Sequence, residues 1–261
     1  MLRYGGHPSQ YGELTLPGSP GPWPVVVLLH GGFWRPRYGA DIISEVALEL
    51  SGHGLACWNL EYRRVGDDPV AGGGGWPNSC LDVAAGTDLL ASEGQRAAEG
   101  QLDLSRVVAV GHSAGGHLAG WLAGRSTVPA GAPGASPGVP VTGLVSLAGV
   151  LDLEQALADD LGSGAVRDFL GRAADDPEEL ELASPRARVP LGVPAVCVHG
   201  TDDDDVPLNQ SERFVAAAVR AGDDARLVAI EGADHFAAMD FSSPTWAACL
   251  TAVLDLTGTG A

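Results

Sequence analysis

Basic residues are scarce in this chain. Lysine and arginine together number 15 against 33 aspartates and glutamates, a formal net charge of -18. So acidic a surface repels phosphate backbones and anionic lipid heads, which argues against nucleic-acid binding and against electrostatic docking on membranes. We read the acidity as a solubility surface, not as recognition of a cationic substrate. Cysteine is also sparse. Cys57, Cys80, Cys197 and Cys249 are far apart and form no C-x-x-C or Cys/His ligand spacing, so no metal site is expected. Cys57 and Cys197 lie inside apolar runs, where a free thiol serves as a small core hydrophobe. No continuous run reaches the roughly 18 apolar residues of a membrane span, and the first residues lack the apolar stretch of a secretory signal. A soluble cytoplasmic protein is the expectation.

Glycine (37 residues) and proline (18) are abundant, so the chain turns often, and its 45% hydrophobic content over 261 residues suits one α/β domain spanning 1–261. Short apolar runs at 12–17, 25–30, 54–62, 106–112, 142–149, 194–200 and 225–232 read as strands, the first as a half-exposed edge. Between them, 40–54, 80–100, 114–124, 210–222 and 243–256 carry apolar residues at helical spacing. Strand and helix in alternation predict a mostly parallel central sheet with helices on both faces. The Pro/Gly/Ala-rich stretch 126–140 reads as a surface connection, and the acidic, irregular 151–192 as short helices that could form a small lid.

The run "VVAVGHSAGGHLAG" (107–120) passes from a strand directly into a helix, with Ser113 between Gly111 and Gly115. In G-x-S-x-G the glycines leave room for a strained turn that lifts the hydroxyl above the sheet, while the helix N-terminus aims N–H groups at developing negative charge. A serine hydroxyl needs a base, and the base an orienting acid. Two later strand ends offer them: "HGTDDDDVP" with Asp202, Asp203, Asp204 and Asp205, and "EGADHF" with His235. The other histidines fit less well. His30 and His199 end core strands, His7 and His53 lie outside the loops concerned, and His117 is in the helix on the wrong side of the reacting carbonyl. Strand alternation aims His112 away from Ser113, so it is read as lining the substrate pocket. In "LLHGGFW" (28–34) the backbone N–H of Gly32 or Phe33, with that of Ala114, would form an oxyanion hole. Phe33 and Trp34 read as pocket walls, with core packing the competitor for Trp34.

Taken in order, "HGGFW", "GHSAGGHLA", "HGTDDDDVP" and "GADHF" resemble the α/β-hydrolase superfamily, most closely its small HGGxW esterases and kynurenine-formamidase-like members. The later motifs are also similar to prolyl oligopeptidase-type catalytic domains, but 261 residues leave no room for a propeller. Lipase-type HGGG is absent, since Phe33 takes the third place after His30. The resemblance implies a Ser113–Asp203–His235 triad with small or no cap, Asp203 coming from the HGxxDxxVP spacing. Asp152, past strand 142–149, is the alternative acid. It further implies hydrolysis of a small carboxylic ester or, alternatively, of an N-formyl aryl amide such as N-formyl-kynurenine, with no cofactor. A non-catalytic binding protein of the same fold is the reading from another class, disfavoured because all three triad candidates are present.

Overall fold

Val25, Val27 and Leu29 point into one apolar layer while Val26 and Leu28 point into another, and all five are 2% exposed or less. A continuous β-branched run is what a strand covered on both faces requires. This strand, β3 (Trp23–Leu29), sits near the middle of the sheet in a computed structural model that describes residues 1–259. The other strands are β1 (Leu2–Arg3), β2 (Tyr11–Thr15), β4 (Ala56–Leu60), β5 (Leu102–His112), β6 (Gly143–Leu147), β7 (Ala195–Gly200) and β8 (Ala225–Ile230). Their order across the sheet is β1-β2-β4-β3-β5-β6-β7-β8. Pairs from β4 through β3 to β8 are parallel, whereas β2 runs antiparallel to both β1 and β4. The run read as an edge strand is therefore one place in, and the two-residue β1 takes the edge. This is the α/β-hydrolase fold, a mostly parallel sheet with helices on both faces.

The helices are α1 (Ser44–Gly52), α2 (Asn78–Asp88), α3 (Glu93–Ala97), α4 (Ala114–Ala123), α5 (Leu153–Ala158), α6 (Ala165–Leu170), α7 (Pro177–Ala183), α8 (Asn209–Ala221) and α9 (Pro244–Thr257). The span 80–100 is thus two helices separated by a short 3-10 turn. Helices α2, α4 and α8 join the layer of Val25 and Val27, and α1 and α9 the layer of Val26 and Leu28. Every residue of α4 is buried, so its composition, apolar or small apart from His117, follows from its place beneath other structure, not from an amphipathic stripe. Among its cover is the segment 151–192. Leu153, Val166, Phe169, Leu170 and Ala183 are buried in the same cluster as Leu118 and Trp121.

Parallel order puts the carboxyl ends of β3, β5, β7 and β8 on one edge of the sheet, where the loops after them meet. No helix among the described residues is long and apolar enough to cross a membrane.

Candidate active site

Ser113 occupies the single residue between β5 and α4 with φ 57° and ψ −122°. A non-glycine residue in that region stores on the order of 1–3 kcal/mol and persists only where its surroundings over-determine it. Here the Ser113 N–H donates to the Leu147 carbonyl at 2.9 Å, and the Ser113 carbonyl accepts from Gly116 N–H at 2.9 Å. The flanking glycines are required by close approach. A Cβ on Gly111 would stand 2.0 Å from the Gly115 carbonyl oxygen, and one on Gly115 would stand 2.0 Å from that of Leu29. Those two absent methyls let α4 press against the sheet and turn Ser113 outward.

Asp203 and His235 come together across two loops. His235 Nδ1 donates to Asp203 Oδ2 at 2.7 Å, which turns Nε2 away from the carboxylate. The loops are stitched by Asp202 N–H donating to Ala233 O at 3.0 Å and Gly232 N–H donating to Thr201 Oγ1 at 2.9 Å. Asp203 Oδ1 accepts from Val206 N–H at 2.8 Å and Asp205 N–H at 3.0 Å. His199, whose role in sequence terms was only to end a strand, approaches Asp203 Oδ2 to 3.3 Å. Burial opposes the Asp203 carboxylate, but the hydrogen bonds from His199, His235 and Val206 outweigh it and hold its carboxyl well below the usual range. Among the four consecutive aspartates, Asp203 alone has this convergence of donors, whereas Asp202, Asp204 and Asp205 are exposed.

Ser113 and His235 line one cleft of about 110 Å³ together with Gly32, Phe33, Tyr38, Ile42, His112, Asp205 and Phe236. Larger cavities exist, one of about 320 Å³ beside Thr127 and Arg188, but it contains no serine–histidine pair. Gly32 (φ 104°) and Phe33 (φ 50°) bend the loop after β3 toward Ser113. Among the described residues, the N–H groups of Gly32, Phe33 and Ala114 donate to no protein acceptor. For Ala114 this is the ordinary condition of a helix first turn.

Several expectations need correction. Trp34 does not wall the pocket. It is fully buried, stacked on Phe169 at 4.5 Å and edge-on to His117 at 5.3 Å. Two successive positive φ values, 50° at Phe33 and 54° at Trp34, break the alternation that would have kept their side chains on separate predictable faces. His112 lines the cleft, but it does not simply point away. The strained turn at Ser113 ends the alternation, and the His112 ring lies 4.5 Å from that of His235, with Nε2 2.8 Å from the His235 carbonyl oxygen. His117 is locked in the core with Nε2 2.9 Å from Ala183 O. Asp152 meets Arg213, not His235. The segment 151–192 adds no residue to the cleft lining; it backs the loop after β3, with Phe169 on Trp34, Gly162 against the Phe33 ring, and Arg35 donating to Gly162 O at 2.6 Å. Tyr38, Ile42 and Phe236 were missed. Phe236 could have been found, because it directly follows His235 in "GADHF". Asp205, named in the sequence only as one of four consecutive aspartates, also lines the cleft. No cluster of three or more potential metal ligands occurs among the described residues.

The BD-FAE family profile matches residues 14–217. Over 248 residues the chain is 25% identical to a probable isoprenylcysteine alpha-carbonyl methylesterase of Arabidopsis thaliana, covering 89% of this chain and 49% of that protein. Over 228 residues it is 28% identical to the esterase LipC of Mycobacterium tuberculosis, covering 81% and 53%. The chain therefore spans about half the length of these curated relatives. In three dimensions it superimposes on a truncated carbohydrate esterase from gut microbiota with a TM-score of 0.79 at 19% identity, covering 98% of this chain and 95% of that one. Butyrate-bound esterase 2 of Thermogutta terrifontis gives a TM-score of 0.73 at 23% identity, covering 95% and 89%.

Proposed function

We propose, on the premise that this chain belongs to the BD-FAE family, that it is a serine hydrolase of small carboxylic esters. In this reading Ser113 Oγ attacks the ester carbonyl as His235 Nε2 takes its proton. Asp203 holds the ring in the required tautomer and stabilises the imidazolium. The carbonyl oxygen, now negative, is received by the N–H groups of Gly32 or Phe33 and of Ala114. Collapse of the tetrahedral intermediate breaks the carbonyl–alkoxy bond, and His235 returns the proton to the departing alcohol. Water, deprotonated by the same base, then attacks the acyl-enzyme and releases the carboxylic acid and Ser113. The chemistry needs no cofactor. A cytoplasmic location belongs to the same proposal and is supported by four buried cysteines that are all unpaired.

The observation that carries this reading is the 2.7 Å Asp203–His235 contact in a cleft shared with a serine held at positive φ. A cleft of about 110 Å³ supports short acyl groups over long ones, and the esterase names of the relatives support an ester over an amide. Two measurements test the proposal. A fluorophosphonate probe should label Ser113, and p-nitrophenyl esters should be turned over fastest at short chain length. Absence of labelling would point to a non-catalytic protein. Faster turnover of N-formyl-kynurenine than of any p-nitrophenyl ester would replace the ester by the formyl amide.

A further inference from the structure

Glu61 takes no part in the reaction just described, yet it is 4% exposed and stands at the centre of a polar knot. Its Oε1 accepts from Tyr62 N–H at 2.8 Å and from the Arg64 guanidinium, and lies 3.1 Å from His30 Nε2. Its Oε2 accepts from Ala40 N–H at 3.0 Å. The Tyr62 ring stacks on the His30 ring at 4.3 Å, and its hydroxyl donates to the His30 carbonyl at 2.9 Å. His30 Nδ1 is in turn 2.9 Å from Gly31 O.

His30 and Ala40 bracket residues 31–39, the loop that carries Gly32, Phe33 and Tyr38. One carboxylate therefore grips both ends of that loop. A loop held only for stability could be held by apolar packing, because a buried ion must recover a large desolvation cost before it contributes anything. Directional hydrogen bonds do what apolar contacts cannot: they fix the backbone rotation of the residues they tether. At Gly32 and Phe33 that rotation decides where two unpartnered N–H groups point.

We infer that Glu61 is a positioning residue for the oxyanion hole, acting through His30 and Ala40 on the Gly32–Phe33 backbone. The inference rests on the hydrolase reading above. The competing view is that Glu61 merely neutralises Arg64.

The test compares Glu61→Gln with the parent protein. Glutamine keeps the size but replaces one acceptor oxygen by an NH₂ that cannot receive an N–H. With p-nitrophenyl acetate, kcat should fall about tenfold or more with KM nearly unchanged, as expected when a transition-state contact is misaimed. The affinity for a phenylboronic acid, whose tetrahedral serine adduct places an oxygen in the hole, should weaken by the same factor as kcat/KM. Neutralisation of Arg64 alone would not tie those two losses together. Should Glu61→Gln not fold, Glu61→Asp decides, because it keeps the charge beside Arg64 and shortens the reach to His30 and Ala40; a parallel loss of kcat and boronate affinity supports the inference. Unchanged kcat and boronate affinity in whichever variant folds, with the parent protein labelled by fluorophosphonate, overturns it. A parent protein that takes no label overturns the hydrolase reading, and this inference with it.

Discussion

Asp152 and Asp203 are both buried carboxylates beyond the carboxyl ends of adjacent parallel strands, 1% and 9% exposed. They differ in what they hold. Asp152 accepts from Arg213 Nε at 2.6 Å, lies 3.3 Å from Arg186 Nε, and caps α5 through Gln155 N–H. Asp203 accepts from His235 and from the N–H groups of its own loop. A guanidinium is charged at every accessible pH, so the Asp152 cluster is static. An imidazole nitrogen can accept a proton and hand it on within a reaction, so the Asp203 pair can follow one. Burial at a strand end therefore does not separate the two candidates for the acid. The partner does.

The largest expected effect sets the scale for that contrast. Ser113→Ala should cut kcat by about 10⁴-fold or more while leaving the thermal midpoint near that of the parent. Retention of most ester turnover would place the nucleophile elsewhere. Next, Asp203→Asn should lower kcat by about three to four orders of magnitude, because the amide no longer orients or stabilises the imidazolium. Asp152→Asn should do the reverse, costing about 1–2 kcal/mol of stability, reduced by the partial exposure of both arginines, with kcat changed less than about threefold. If the two variants traded these phenotypes, the acid would belong to the earlier loop.

A smaller effect comes from pH. Burial pushes His112 and His117 down to about 4 from the ordinary 6.5. Their folded values lie below the unfolded ones, so the unfolded chain binds more protons in between. The stability concerned is fully present above pH 6.5 and drains away as pH falls toward about 4. Asp203, also lowered, adds a loss only at still lower pH. Thermal midpoints should hold between pH 7.5 and 6.5 and then fall down to pH 4.5, and a profile flat throughout would contradict neutral buried imidazoles. The smallest effect on activity is expected at Trp34. Trp34→Phe should lower the midpoint by a few degrees, about 2–4 °C for each kcal/mol lost, without altering the order of preference among p-nitrophenyl esters. Phe33→Ala, its neighbour on the cleft, should alter that order. The same shift from both residues would return Trp34 to the pocket wall.

How much could be read in advance follows from how far each feature reaches along the chain. The β-branched runs, the helical spacings and the G-x-S-x-G turn each depend on residues within a few positions, so steric and propensity rules apply to them directly. The alternation of strand and helix runs carried the sheet class, and the motifs in their order carried the candidates at 113, 203 and 235. The element boundaries moved most where a helix such as 80–100 is interrupted, because the break at Leu89–Ala91 leaves no strong mark in the apolar pattern.

Tertiary structure alone assigned the partners. Asp152 finds Arg213, 61 positions away, and Trp34 finds Phe169; neither pairing has a local signature. The rotation of the chain at Phe33 and Trp34 depends on unusual backbone angles that no periodicity encodes. The carboxylate of Glu61 reads in sequence as one more acidic residue of an acidic chain. Only the folded protein, by bringing His30 and Ala40 to the end of β4, turns it into the clamp on the loop above Ser113. Local stereochemistry determined which elements form and where a strained serine can stand. Which polar groups meet was decided by the packing that brings distant segments together, where an unpaired charge is too costly to leave.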